Sequence, residues 1–138
     1  MIVVPDASVI LKWVLPRNIS PFQDQALAIR DAALSDKISL IVPPLWRYEV
    51  GNTLTRLIPD NALQLMMLCE SVGLTEVKAD DKWLEIAVGL VSRSKVSFYD
   101  AAYHALAIAQ SAVFVTADDK YVSKSKPSTD MRLLKDWP

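Results

Sequence analysis

The sequence has very little of the two residues that most often build metal and redox sites. It contains one cysteine and one histidine in 138 residues. The single Cys69 excludes a disulfide within the chain and fits a reducing compartment. The single His104 argues against zinc sites made of cysteine and histidine ligands. The two would be the only candidates for a thiol nucleophile and its base, but Cys69 lies in the apolar run 65–69, and we interpret it as a buried thiol.

Long apolar runs, a glycine-rich phosphate loop and excess charge are missing as well. No apolar stretch approaches the ~20 residues that span a bilayer, and no signal peptide precedes the first predicted strand. We therefore expect a soluble, cytoplasmic protein with no membrane partner. No Gly-rich turn follows that strand, which argues against dinucleotide binding. The net charge is −1, so binding of a polyanion would need a local basic patch.

The composition is that of a single folded domain. Apolar residues make up 51% of the chain and charged residues 22%, so long disorder is not expected. Strand-like runs alternate with helical segments, which predicts an α/β domain over residues 1–138, with a parallel sheet of about five strands covered by helices on both faces. The predicted strands are residues 2–5, 38–42, 75–77, 112–116 and 131–134. The predicted helices are residues 7–14, 21–35, 45–57, 61–72, 81–94 and 97–109.

Four acidic residues occupy related places in this pattern. Asp6 follows the first strand, and Asp118 follows the strand at 112–116. Asp100 lies in the first turn of a helix, and Glu49 lies within one. In a parallel α/β sheet, ligands bind just beyond the carboxyl ends of the strands. Carboxylates gathered there repel one another unless a cation lies between them, and oxygen ligands favour Mg²⁺ or Mn²⁺. The pattern predicts a metal-dependent phosphoryl-transfer enzyme.

Each acid also has a simpler explanation. Asp6, and either Asp118 or Asp119, precede helices, where aspartate is a favoured N-cap. The segment Ser97-Phe-Tyr-Asp matches a capping box. Glu49 flanks an apolar stripe and can be a solvated helix residue. Helix capping does not explain why the sequence around Asp100 is so apolar. Those neighbours favour a partly buried carboxylate.

Polar residues close to these acids are candidates for supporting roles. Ser8 and Thr116 each lie two residues from an aspartate, where a hydroxyl can hold a metal-bound water or a phosphate oxygen, or satisfy a local backbone group. Asn52 lies three residues after the mid-helix glutamate and can hold it by a hydrogen bond. His104 lies one turn after Asp100. We interpret it as a packed histidine, with help in orienting Asp100 as the alternative.

Basic residues are scattered, and most such residues are solvated surface. The available cations are Lys12, Arg47, Arg93, Lys95, Lys120, Lys124 and Lys126. The group at Lys120, Lys124 and Lys126 follows Asp118 directly and is the best candidate for binding phosphate.

The helix at 61–72 is apolar on almost every side. Its apolar residues are Ala62, Leu63, Leu65, Met66, Met67, Leu68 and Cys69. Since one face of a helix can meet the core, we predict that the rest meets a partner. Complete burial within one chain is the alternative.

Four segments, each containing one of the acids, form an ordered set. They are Asp6-Ala-Ser-Val-Ile-Leu-Lys-Trp, Pro44-Leu-Trp-Arg-Tyr-Glu-Val-Gly-Asn-Thr-Leu, Ser97-Phe-Tyr-Asp-Ala-Ala-Tyr-His-Ala-Leu-Ala and Val115-Thr-Ala-Asp. They resemble the signature segments of PIN-domain nucleases, most closely those of VapC-type toxins from prokaryotic toxin–antitoxin pairs. The resemblance runs over nearly the whole chain. It implies that Asp6, Glu49, Asp100 and Asp118 are catalytic, that the three aspartates bind metal, and that Ser8, Asn52 and Thr116 support them.

The resemblance also implies an activity and partners. It implies an endoribonuclease that uses Mg²⁺ or Mn²⁺, with Glu49 or Asp100 positioning the attacking water. It further implies a homodimer and an antitoxin whose tail covers the active site. The alternatives are a housekeeping RNA-processing nuclease and a non-catalytic PIN-like binding module. A phosphoacceptor receiver domain would need an acidic pair after the first strand, and a HAD-type phosphatase would need an aspartate in place of Ser8.

Overall fold

Five parallel strands form one sheet in the order β3-β2-β1-β4-β5. The computed structural model describes residues 1–17, 20–125 and 130–138. The strands are β1 (Ile2–Pro5), β2 (Ser39–Val42), β3 (Thr75–Glu76), β4 (Val113–Thr116) and β5 (Met131–Leu133). All four neighbouring pairs are parallel. The predicted α/β class and the five-stranded parallel sheet are confirmed.

Seven helices connect or follow the strands in the described residues. They are α1 (Ala7–Leu11), α2 (Gln23–Leu34), α3 (Leu45–Leu57), α4 (Ala62–Ser71), α5 (Asp81–Ser94), α6 (Phe98–Ala109) and α7 (Asp119–Ser125). Short 3₁₀ turns occupy Pro59–Asn61 and Leu134–Asp136. The successive residues Val3 and Val4 are both fully buried. Since successive strand side chains point to opposite faces, both faces of the sheet are covered.

Two helices are each three residues shorter than their sequence pattern predicts. The segment predicted as a helix at 7–14 is α-helical only to Leu11. It then continues as tight turns in which the N–H of Lys12, Trp13 and Val14 bonds the carbonyl three residues back, at 3.0–3.2 Å. The helix predicted from residue 21 begins at Gln23, because Phe22 has a φ of 59° and takes the left-handed conformation. The short helix α7 follows Asp118, one of the two candidate caps.

The helix α6 lies at the centre of the molecule and is buried along most of its length. Residues 101–107 are all buried, and α6 contacts α5, β1 and β4. Small alanines allow this close packing, and the larger Tyr103 and Leu106 fill the space beside the sheet. Because Asp100 lies in the first turn of this central helix, the core fixes its position relative to β1 and β4. None of the helices in the described ranges is long and apolar enough to cross a membrane.

Candidate active site

The four predicted acids meet in one cavity. Asp6 follows β1 and Asp118 follows β4, and these strands are paired neighbours with Pro5 opposite Val115. Glu49 is supplied by α3 and Asp100 by α6. The acids line a cavity of about 340 Å³ together with Ser8 and Asn52. Residues separated by more than a hundred positions thus meet at the carboxyl edge of the sheet, where ligands of parallel sheets bind.

Asp6 is held by two hydroxyl groups and does not cap a helix. Its Oδ2 accepts hydrogen bonds from Ser8 Oγ at 2.7 Å and from Thr116 Oγ1 at 3.0 Å. Its side chain makes no capping bond to α1. The residue keeps partial exposure to the cavity, yet its carboxyl group is crowded by protein, and this burial raises its pKa above the usual value. The two hydroxyls oppose the rise, and the Asp100 charge adds to it.

Ser8 and Thr116 also fix the loop after β4. Ser8 Oγ accepts a hydrogen bond from the N–H of Ala117 at 3.2 Å. Thr116 Oγ1 accepts one from the N–H of Asp118 at 3.1 Å. Each hydroxyl therefore donates to the Asp6 carboxylate and accepts from a backbone N–H. The expected role toward local backbone groups is met, and a role toward a metal-bound water or a phosphate stays a prediction. The result is a rigid junction between the ends of β1 and β4.

Glu49 places a buried oxygen without a hydrogen-bond partner beside the cavity. Its Oε1 and the hydroxyl of Tyr103 are both buried and both lack a partner. Burial raises the pKa of Glu49, the nearby Tyr103 hydroxyl lowers it, and the charges of Asp6 and Asp100 raise it further. The Glu49 and Tyr103 groups are thus close enough to influence each other without meeting in good hydrogen-bond geometry. The expected bond from Asn52 to Glu49 is not formed, and Asn52 lines the cavity as an exposed residue.

Tyr103 was not singled out by the sequence reasoning. It lies three residues after Asp100, on the same side of the helix. Burial and the neighbouring Glu49 carboxyl raise the pKa of Tyr103, so its buried hydroxyl lies beside the acidic site. The helical spacing from Asp100 was the available signal.

Asp100 and Asp118 both lie at helix starts and both line the cavity. Ser97 caps α6, since its Oγ accepts the N–H of Asp100 at 3.1 Å. This bond uses the Asp100 backbone and leaves the carboxylate facing the cavity. Asp118 caps α7 through Oδ1, which accepts the N–H of Tyr121 at 3.1 Å. Asp119 lies outside the cavity, with a side chain 72% exposed and 3.8 Å from the Lys135 ammonium.

The chemistry of the donor set fits a magnesium or manganese ion. Across the described part of the chain, no three histidine, cysteine or acidic side chains are gathered tightly enough to enclose a metal on their own. Mg²⁺ rarely needs such a cage, because it keeps several waters and binds one or two carboxylates plus substrate phosphate. The unpartnered Glu49 Oε1 and the repulsion between Asp6 and Asp100 are features that a cation relieves.

None of the predicted basic residues that the structure describes lines the acidic cavity. Lys12 is buried and donates to Ser20 Oγ at 3.2 Å, and burial lowers its pKa. Arg47 pairs with Glu70 and Glu76, which join α3 to α4 and β3. Lys120 and Lys124 lie exposed on α7. Their phosphate-binding role stays a prediction. Lys126 lies outside the described residues.

His104 and Cys69 are structural, as expected. His104 is buried and stacks on Phe114 with ring centroids 5.5 Å apart. Its Nδ1 lies 2.9 Å from the Tyr121 hydroxyl and its Nε2 lies 3.3 Å from Asp130 Oδ1. It makes no hydrogen bond to Asp100. Cys69 is fully buried, and burial raises the pKa of its thiol to about 12, which makes it a poor nucleophile.

The chain belongs to the PIN domain family, whose model matches residues 3–126. PIN domains are generally nucleases. The resemblance drawn from the four sequence segments is thereby confirmed at the level of the family.

Solved structures show the same fold. The crystal structure of PAE2754 from Pyrobaculum aerophilum has a TM-score of 0.64 and 20% identity, covering 96% of this chain and 89% of that one. FitAB bound to the IR36 DNA fragment has a TM-score of 0.63 and 15% identity, over 97% and 95% of the two chains. FitAcB from Neisseria gonorrhoeae has a TM-score of 0.61 and 16% identity, over 96% of each. At these identities the likeness is one of fold alone. No curated protein sequence gives a significant match.

Proposed function

We propose that this protein is an endoribonuclease that uses Mg²⁺ or Mn²⁺ to hydrolyse RNA phosphodiester bonds. The supporting observation is the convergence of four carboxylates, from four separate elements, on one cavity. Crowded carboxylates destabilise a fold unless something compensates for their repulsion. Glu49 Oε1 has no hydrogen bond that would explain its position, and the Asp100 charge acts against those of Asp6 and Glu49. A ligand cation provides the compensation.

In this proposal the residues of the acidic cavity have separate roles in catalysis. Asp6, Asp100 and Asp118 would hold the cation, which when bound supplies a water of lowered pKa and stabilises charge on the phosphate. Ser8 and Thr116 orient the Asp6 carboxylate through the hydrogen bonds described above. Glu49 orients the attacking water and accepts its proton, because burial and neighbouring charges raise the pKa of this carboxyl. No histidine is required.

We further propose that the chain is the toxin of a toxin–antitoxin pair, located in the cytoplasm and active as a homodimer. The likeness of its four segments to VapC-type toxins supports this role. A chain of the same fold occurs in FitAB bound to a DNA fragment, which fits a toxin held by a DNA-binding antitoxin. A housekeeping PIN nuclease is the competing function. A neighbouring gene for a small DNA-binding protein with a basic, apolar tail would favour the toxin.

Neighbouring aspartates provide a matched test of the nuclease site. Purified protein should cleave single-stranded RNA with Mg²⁺ or Mn²⁺ and stop when EDTA is added. Asp118→Asn should lower kcat by at least about 100-fold, as loss of one electrostatic group at a reaction centre commonly does. Asn is itself a good N-cap, so α7 should stay folded. Asp119→Asn removes an equal charge one residue away, outside the cavity, and should leave kcat unchanged.

Two results would contradict the proposal. Cleavage by the purified protein that persists in EDTA would rule out the metal. Equal losses in Asp118→Asn and Asp119→Asn would show that the effect comes from net charge rather than from the cavity. Circular dichroism of both variants confirms that the comparison is between folded proteins.

A further inference from the structure

A second cavity lies next to the acidic one and has the opposite character. It encloses about 190 Å³. Its walls include Pro43, Leu45, Trp83, Phe98 and Tyr99. No charged side chain lines it. We propose that this aromatic cavity binds one unpaired base of the RNA next to the scissile phosphate. The proposal rests on the nuclease function argued above and assigns it a substrate-binding subsite.

The aromatic walls are held rigidly before any ligand arrives. Trp83 Nε1 donates a hydrogen bond to the carbonyl of Ala102 at 2.9 Å, which fixes the indole against α6. Trp83 and Phe98 meet edge to face, with centroids 5.6 Å apart and planes at 90°. Tyr99 forms the outer side and is 64% exposed. A preformed cavity of this kind binds a rigid ring at low entropic cost.

The two cavities share the same helices. Leu45 lines the aromatic cavity and Glu49 lines the acidic one. These residues are four apart on α3, so they lie on one face and are separated by one helical turn, about 5.4 Å. On α6, Tyr99 and Asp100 are consecutive. The two cavities therefore lie side by side, on adjacent turns of α3 and on consecutive residues of α6, as a base-binding site next to a phosphate-binding site requires.

The chemistry of the cavity selects a neutral planar ring. A phosphate would find no cation there, since the lining side chains are uncharged. An apolar cavity of about 150 Å³ already accepts a benzene ring, so this one has room for a ring system and not for a helix. Proteins hold unpaired bases by stacking them on aromatic side chains. A base within a duplex is already stacked, so the subsite favours single-stranded or looped RNA.

The first test compares the kinetic constants of variants at two exposed tyrosines. Tyr99→Ala should raise the KM for single-stranded RNA by roughly 5- to 150-fold, which is the loss expected for one base–aromatic stack, with a smaller effect on kcat. Tyr99→Phe keeps the ring and should behave like the parent. Tyr48 is 75% exposed on α3 and lines neither cavity. Tyr48→Ala is therefore the control for loss of an exposed tyrosine, and its KM should not change.

Binding of adenosine in EDTA provides the second test, because it needs neither metal nor turnover. Trp83 lines the cavity. Of the other three tryptophans, Trp13 and Trp46 are buried and Trp137 packs under Arg132; none of them lines the cavity. Adenosine should change the tryptophan fluorescence of the parent. This change should be lost in Trp83→Phe and shift to higher adenosine concentration in Tyr99→Ala.

The two tests separate failure of this subsite from failure of the nuclease. Metal-dependent cleavage with an unchanged KM in Tyr99→Ala, and no adenosine signal, would overturn the subsite and leave the nuclease standing. Adenosine binding without cleavage would support the subsite and overturn the nuclease. If Tyr99→Ala instead converts a dimer to a monomer in light scattering and the parent binds no adenosine, a second copy covers the cavity and the proposal is wrong.

Discussion

Single aspartates in this chain serve two purposes at once. Asp118 caps α7 through one carboxylate oxygen and also lines the acidic cavity. At Asp100 the cap uses the backbone N–H, and the carboxylate is left for the cavity. The helix-cap and ligand explanations are therefore compatible at both positions. At Asp6 the capping explanation fails, because its side chain makes no capping bond.

The single histidine leads to a prediction about acid stability. Burial holds the pKa of His104 below its ordinary value, against the opposing effect of Asp130. The unfolded chain then takes up a proton at a higher pH than the native protein does. The stability contributed by neutral His104 is thus fully present above about pH 6.5 and is lost as the pH falls through the native pKa. The contribution of His104 to the free energy of unfolding should therefore fall as the pH drops below about 6.5, whereas the raised pKa values of Asp6 and Glu49 act in the opposite direction.

Denaturant unfolding of the parent and of His104→Gln across this range checks the prediction. The difference between the two curves should change with pH, and because the chain has one histidine, that change belongs to His104. Parallel curves would show that His104 titrates alike in the folded and unfolded states.

At the residue scale, the sequence predicted which acidic residues form the site better than it predicted their hydrogen-bond partners. The positions of Asp6 and Asp118 after strands were enough to place them at one sheet edge. The hydrogen bond between Thr116 and Asp6 joins residues 110 positions apart, and the unpartnered oxygens of Glu49 and Tyr103 depend on how α3 and α6 pack. Side-chain direction across a core does not follow from local patterns, which is why the expected Asn52 bond was wrong.

At the scale of the element, α4 exposes more large apolar side chains than any other helix in the described residues. Leu63, Met67 and Leu68 are 74%, 61% and 57% exposed, whereas Cys69 on the opposite face is buried. Complete burial within one chain, the alternative considered for this helix, does not occur. Exposed contiguous apolar side chains mark association surfaces.

We predict that α4 is part of an interface in the homodimer. Met67→Glu should shift the protein from dimer to monomer in analytical ultracentrifugation, because a charge would have to be desolvated at the contact. The stability of the monomer should change by no more than about 0.5 kcal/mol, as is usual for surface positions. Gln64→Glu adds the same charge to an exposed polar position of this helix and should leave the dimer intact. A parent that is monomeric at all concentrations would contradict the prediction.

Element boundaries followed the sequence wherever a strong local signal was present. The α5 helix was predicted at its observed bounds, since Asp80 caps it through the N–H of Trp83 at 2.8 Å. The left-handed Phe22 that delays α2 has no such signal, because a bulky residue rarely takes that conformation.

For the molecule as a whole, the repulsion among the four acids of the cavity predicts how the free energy of unfolding changes when Asp100 is neutralised. The charge of Asp100 acts against those of Asp6 and Glu49, and its carboxylate caps nothing. Asp100→Asn in EDTA should therefore leave the free energy of unfolding unchanged or raise it, by on the order of 1 kcal/mol. Excess Mg²⁺ should stabilise the parent more than the variant, because a ligand that binds only the native state adds stability by mass action.

Thermal melts of both proteins, with EDTA and with Mg²⁺, provide the measurement. Asp119→Asn, outside the cavity, should respond to Mg²⁺ like the parent. A destabilised Asp100→Asn with no difference in its Mg²⁺ response would mean that the carboxylate supports the helix start and that the cluster binds no cation.

The position of β1 between β2 and β4 has a consequence for the newly made chain. Asp6 leaves the ribosome before its Thr116 partner, which follows it by 110 positions, and before its Asp118 neighbour. Until residues 113–116 emerge and pair with β1, the cavity lacks one wall and one of its four acids. Domains fold as units during synthesis, so a nascent or truncated chain has no complete site. Under the proposed function, a chain whose synthesis has not passed Asp118 would have no complete site with which to cleave the RNA that encodes it.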